Sequence, residues 1–153
     1  MTQNQSVQVF DQIVRRYVYT HFVEQERPPT AIETAAALNT SINEVKAAYK
    51  RLHNGHVLVL EPDNNAIRFA EPFCAVPTNF RVHAQGHSWW GTCAWDALGI
   101  SAALHADAKI ISSCPDCGEE IILKLENGQV NGSNEIIHFA VPANRWWDDI
   151  FFT

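Results

Sequence analysis

The chain has 153 residues, 46% of them hydrophobic and 18% charged, with a formal net charge of −6. That balance excludes a disordered chain and fits one ordinary domain or two small ones sharing a core. Residues 1–70 carry seven Lys/Arg and seven Asp/Glu, and residues 71–153 carry four and ten, so neither part has the basic excess of a nucleic-acid surface.

The pattern predicts a cytoplasmic protein with no membrane association. No apolar run approaches the roughly 18 residues that span a bilayer. Met1-Thr2-Gln3-Asn4-Gln5-Ser6 lacks the basic-then-apolar layout of a signal peptide. In that compartment the four cysteines stay reduced.

From Val7 to Glu26, apolar residues fall at Phe10, Ile13, Val14, Tyr17, Val18 and Phe22, the spacing of a helix with one buried stripe. Arg27-Pro28-Pro29-Thr30 ends it. Thr30 with Glu33, and Ser41 with Glu44, have the form of capping boxes. They predict a short helix over Ala31–Leu38 and a third from Ser41 to about Asn54, with Ile42, Val45, Tyr49 and Leu52 facing inward. Gly55 is expected to stop that helix. Val57-Leu58-Val59-Leu60 and Ala66-Ile67-Arg68-Phe69 read as two strands joined at Pro62-Asp63-Asn64-Asn65. Three helices and a hairpin give residues 1–70 a winged helix-turn-helix layout. The outward residues of the third helix, Asn43, Lys46, Ala47, Lys50 and Arg51, are too weakly basic to define a DNA-reading helix.

Glu71 to Thr78 reads as a linker into a second unit, residues 71–153. There Asn79–His83, Lys109–Ser113, Glu120–Leu125 and Glu135–Phe139 are expected strands, and Trp89 to about His105 a helix with Ser88 as its N-cap. Asn127-Gly128 and Asn131-Gly132 supply turns. The expected fold class is α+β, with a mainly antiparallel sheet.

The stretch Trp89-Trp90-Gly91-Thr92-Cys93-Ala94-Trp95-Asp96 holds the chemistry. Cys93 and Asp96 are three residues apart, so on a helix they share a face. Near a helix start the dipole favours a thiolate, and the carboxylate could carry a proton. The competing reading makes Cys93 a small buried hydrophobe and Asp96 a structural acceptor.

Cys114-Pro115-Asp116-Cys117-Gly118 is a CxxC turn. It reads as half of a zinc site, a redox pair, a structural turn or a soft-metal relay to Cys93. A tetrahedral zinc needs two more ligands, and His83, His87, His105, His138 and Cys74 show no diagnostic spacing. Cys74 itself reads as packed. The five tryptophans read as core, or as walls of an apolar pocket.

Together these residues resemble the organomercurial (alkylmercury) lyase family. The match rests on Pro72-Phe73-Cys74-Ala75-Val76-Pro77-Thr78, on Trp90–Ile100, on Ile111-Ser112-Ser113-Cys114, and on His138-Phe139-Ala140-Val141-Pro142 followed by Trp146-Trp147-Asp148-Asp149-Ile150. It covers Pro72 to the end, and the family's N-terminal winged-helix-like domain suits the preceding part. The resemblance implies protonolysis of a carbon–mercury bond, with Cys93 as the mercury ligand and Asp96 as the proton donor. It implies no organic cofactor, mercury(II) as the bound product, and cellular thiols or a mercury-accepting reductase as its recipient; a homodimer is one expected assembly. The family's second catalytic cysteine would fall just after Thr153, so the resemblance implies a truncated chain or a short homologue, with activity impaired unless Cys117, Cys114 or Cys74 substitutes for that thiol. Two other readings stand beside it: a non-catalytic binder of metals or thiol-reactive ligands, and a winged-helix regulator with a cysteine sensor domain.

Overall fold

The computed structural model describes residues 3–131 and 134–151. Gly132, half of the second predicted turn, and the terminal Phe152 and Thr153 lie outside them.

Helices α1 (Gln3–Gln25), α2 (Ala31–Leu38) and α3 (Ile42–Asn54) come first. Both capping boxes form: Thr30 and Ser41 accept from the backbone of Glu33 and Glu44, whose carboxylates accept in return. Each box satisfies N–H groups that a helix start leaves unpaired. Val45, Tyr49 and Leu52 are buried, whereas Ile42 is 40% exposed, because it is the first residue of α3, at the helix end where fewer neighbours cover it. Gly55 caps α3 with a negative φ, and the left-handed residue that turns the chain is His56, at φ 59°. Arg51 pairs with Asp11 of α1 at 2.6 Å.

Strands β1 (Val59–Leu60) and β2 (Ile67–Ala70) form the predicted hairpin. The stretch read as a linker is part of the sheet. Phe73–Cys74 is strand β3, paired with β2 and with β5, because Phe73 and Cys74 both supply buried side chains. Strands β4 (Arg81–Ala84), β5 (His87–Trp90), β6 (Ala108–Ser113), β7 (Glu120–Glu126) and β8 (Gln129–Asn131) follow, with helix α4 (Ala94–Leu104) between β5 and β6. The sheet order is β1-β2-β3-β5-β4-β6-β7-β8, with every pairing antiparallel among the described residues. The fold is thus α+β, as expected.

Two expectations fail in the second part of the chain. The predicted helix from Trp89 divides: His87–Trp90 is β5, so Ser88 lies in a strand and Cys93 is the N-cap of α4. Trp89 is buried against α1, and a strand points it there while leaving Trp90 on the other face. Glu135–Phe139 forms no strand. It passes over the cleft at α4 instead of pairing with the sheet, and Ile136 is 91% exposed. Of the two readings given for the tryptophans, Trp95 takes the second: it is 62% exposed and lines a cleft.

One apolar core joins the helices to the sheet. It runs from Val14, Val18 and Phe22 of α1 through Phe73 and Trp89 to Ile100 and Ile110. Phe22 stacks on Phe73 at 5.6 Å, and the Trp89 indole N–H donates to the Phe22 carbonyl at 2.8 Å. Burying each such side chain is worth about 1.5–3 kcal/mol. At the other end, Trp147 of the 3-10 helix Ala143–Asp148 stacks on His56 at 4.0 Å. Trp147 and Ile150 also pack on the small apolar cluster of Val59, Phe69 and Cys74. Among the described residues, no helix is long and apolar enough to cross a membrane.

Candidate active site

Strand β5 delivers Gly91, Thr92 and Cys93 to the start of α4. Thr78 fixes this corner by donating to the Gly91 carbonyl at 2.6 Å, while the Gly91 N–H bonds to Phe80 at 3.0 Å. A Cβ on Gly91 would lie 2.8 Å from the Ala97 nitrogen. Only a glycine lets the strand approach the helix this closely.

At that corner the Cys93 thiol makes a long S–H···O contact of 3.7 Å with the Asp96 carboxylate. The two residues line a cleft of about 330 Å³ whose remaining wall is largely apolar, with Phe69, Pro72, Trp95, Phe139, Trp146 and Ile150. Glu71 also faces it. The Tyr19 hydroxyl of α1 donates to the Glu71 carbonyl at 3.0 Å, tying the first helix to the cleft.

Burial pushes the Asp96 carboxyl up to about 7; the Glu71 charge adds to the rise, and the Cys93 thiol opposes it. Burial also raises the Cys93 thiol, and the neighbouring Asp96 charge acts the same way. The Trp95 and Asp96 backbone N–H groups act in the opposite direction without closing a capping hydrogen bond. This corrects the expectation of a dipole-favoured thiolate: desolvation outweighs the helix start. Near neutral pH the pair holds a thiol and a carboxyl that is readily protonated.

The other predicted residues lie elsewhere. Cys74 is buried in β3, and burial raises its thiol. Cys114 and Cys117 stand on the β6–β7 turn, outside the cleft lining. All four cysteines are free thiols. Among the described residues, no group of three or more His, Cys, Asp or Glu side chains could hold a metal ion. Sequence reading passed over Glu71, which lay in the apparent linker; its position beside the Pro72–Thr78 motif was the available signal. The role of Phe139, Trp146 and Ile150 as cleft wall was equally hidden, because the segment carrying them belongs to no sheet.

A thiol and a carboxyl of raised proton affinity, in contact within an apolar cleft, define a class of protein: one suited to chemistry on a soft electrophile with an apolar substituent. The family model for MerB, alkylmercury lyase, matches residues 73–152, more than half of the chain. The chain belongs to the alkylmercury lyase family. A solved structure titled the mercury-bound form of MerB2 aligns with a TM-score of 0.62 and 22% sequence identity, over 84% of this chain and 66% of that chain. This chain thus spans just under two thirds of that structure's length. Comparison with curated proteins gives no match.

Proposed function

We propose that the chain cleaves the carbon–mercury bond of organomercurials by protonolysis, giving a hydrocarbon and mercury(II). The observation that carries this reading is the 3.7 Å contact of Cys93 with an Asp96 whose pKa is pushed up to about 7 inside an apolar cleft. The substrate arrives as R–Hg–X, with X a small thiolate. Cys93 sulfur bonds to mercury and displaces X, while the thiol proton passes to the Asp96 carboxylate. A thiolate is the best protein ligand for a soft metal. Asp96 then protonates the carbon. The C–Hg electron pair goes to the new C–H bond, and an incoming thiolate takes the freed position on mercury. Asp96 ends as a carboxylate and Cys93 as one of two sulfur ligands.

The apolar wall from Phe69 to Ile150 suits the organic group and strengthens electrostatics at the reacting bond by excluding water. Cys93 is the only thiol lining the cleft among the described residues, so excess cellular thiol provides the second sulfur in this scheme. No organic cofactor takes part. Mercury(II) leaves to cellular thiols or to a mercury-accepting reductase in the reducing cytoplasm.

In the same reading residues 1–70 are a winged-helix-like unit and residues 71–153 the catalytic unit. The first serves as a buttress, since Tyr19 holds the Glu71 backbone and Arg51 is committed to Asp11. Incubation with methylmercury and excess thiol tests the proposal. Methane release that depends on the chain supports it, and none across pH 5–9 removes it.

A further inference from the structure

The CxxC turn has no part in the reaction above. Its backbone is a closed loop at the tip of β6 and β7. Cys114 N–H bonds to the Glu119 carbonyl at 2.8 Å, and Gly118 N–H returns to the Cys114 carbonyl at 2.9 Å. Gly118 takes φ +75°, which brings the chain back on itself. The backbone N–H groups of Cys117 and Asp116 and the Cys117 side chain lower the Cys114 thiol, a short-range effect within one closed turn that carries both cysteines. Cys117 is exposed and Cys114 half-buried. Among the described residues no third donor joins them, and two sulfurs are half of a tetrahedral zinc site. They are a complete set for a soft metal that takes two thiolates in line.

The sheet register puts this turn at the same end as Cys93. Trp90 of β5 faces Arg81 of β4, and Arg81 faces Ile111 of β6. Cys93 is three residues beyond Trp90 and Cys114 three beyond Ile111. Their strands are two apart in the sheet, roughly 10 Å at ordinary strand spacing. Asn79 bridges the interval. Its side chain donates to the Ser113 carbonyl at 2.8 Å and accepts from the Ser113 hydroxyl at 2.7 Å. The next residue, Phe80, lines a groove of about 290 Å³ together with Thr92, Cys93 and Ala94.

We infer that Cys114 and Cys117 form a second mercury(II) site, an acceptor that takes the metal from Cys93. This rests on the lyase reading only for the source of the mercury. In the transfer a small thiol HX gives its proton to Cys93 and lifts mercury off as X–Hg–X, which crosses the interval of roughly 10 Å. The Cys114 sulfur then displaces one X, which takes up the Cys114 proton. The Cys117 sulfur then displaces X, and its proton goes to X. Two thiols and Cys93–S–Hg–X thus become Cys114–S–Hg–S–Cys117, the Cys93 thiol and HX. Two sulfurs on one turn hold the metal against a single competing thiol through their high effective concentration.

The test uses mercury(II) chloride and the full chain. A Cys93→Ser variant is loaded, then passed through gel filtration in excess glutathione, and mercury per chain is measured. One mercury per chain is expected. Adding Cys114→Ser or Cys117→Ser to that variant should each lower retention about tenfold or more, with the circular dichroism spectrum unchanged. Equal retention in the added variants, or none in the parent, overturns the site. Hydrocarbon release is scored separately. Mercury retention without release removes only the lyase reading, and release without retention removes only the acceptor.

Discussion

Gly91 packs directly on the backbone of Ala97, so closely that a Cβ on Gly91 would lie 2.8 Å from the Ala97 nitrogen and 3.0 Å from its Cα. This approach sets the angle between β5 and α4, and with it the separation of Cys93 and Asp96. Gly91→Ala must push the first turn of α4 away from the strand. A stability loss of about 1–3 kcal/mol is expected, with hydrocarbon release falling further than the loss of folded protein accounts for. Denaturant melts and release rates on the same preparation check this; normal release per folded chain would contradict it.

Asp96 should cost the folded state stability at high pH. Its carboxyl rises from an ordinary 3.8 to about 7 on folding. Between those values the folded chain binds the proton that the unfolded chain has released, so the contribution of Asp96 is greatest below pH 4 and is lost as pH climbs through 7. Each tenfold difference in proton affinity is worth about 1.4 kcal/mol. Asp96→Asn carries no such cost. At pH 8 it should be more stable than the parent, by on the order of 2–4 kcal/mol, while losing hydrocarbon release. Urea melts at pH 5 and pH 8 read the difference, which should shrink at the lower pH.

Glu71 contributes to that raised value through its charge. Glu71→Gln should therefore lower the Asp96 pKa and move the rising limb of the release–pH profile, along which the carboxylate that takes the thiol proton forms, to lower pH. A limb that stays in place would show that burial alone sets the proton affinity of Asp96.

The helical part supports the site by packing. Thr34 and Tyr49 share a buried hydroxyl–hydroxyl hydrogen bond of 2.6 Å between α2 and α3. Tyr49→Phe leaves the Thr34 hydroxyl without that partner and should cost about 1–3 kcal/mol. Lys46→Ala and Lys50→Ala, on the exposed face of α3, should stay within about 0.5 kcal/mol and leave release unchanged. Thermal melts and release assays measure both.

The sequence revealed α2 and α3 because their limits are local: the Thr30–Glu33 and Ser41–Glu44 boxes form between residues three apart. The Cys93–Asp96 pair was legible for the same reason. What lay hidden depends on distant partners. Trp89 looked helical by composition, yet its indole reaches Phe22, 67 residues away, and the strand is what aims it there. Phe73–Cys74 looked like a linker because two residues carry no periodicity; only pairing with β2 and β5 makes them a strand. The thiolate expectation failed because a helix dipole can be read from position, whereas burial cannot. Ile136 and Ile137 had strand-forming side chains, yet their segment pairs with no described strand and runs along the cleft instead.

The measurement that bears most directly on the central claim is phenylmercury binding and benzene release by the parent chain, Cys93→Ser and Asp96→Asn, each at pH 6 in excess thiol. The account predicts benzene from the parent, neither thiol-resistant phenylmercury binding in the cleft nor benzene from Cys93→Ser, and bound phenylmercury without benzene from Asp96→Asn. Benzene released by Asp96→Asn at the parent's rate would contradict it.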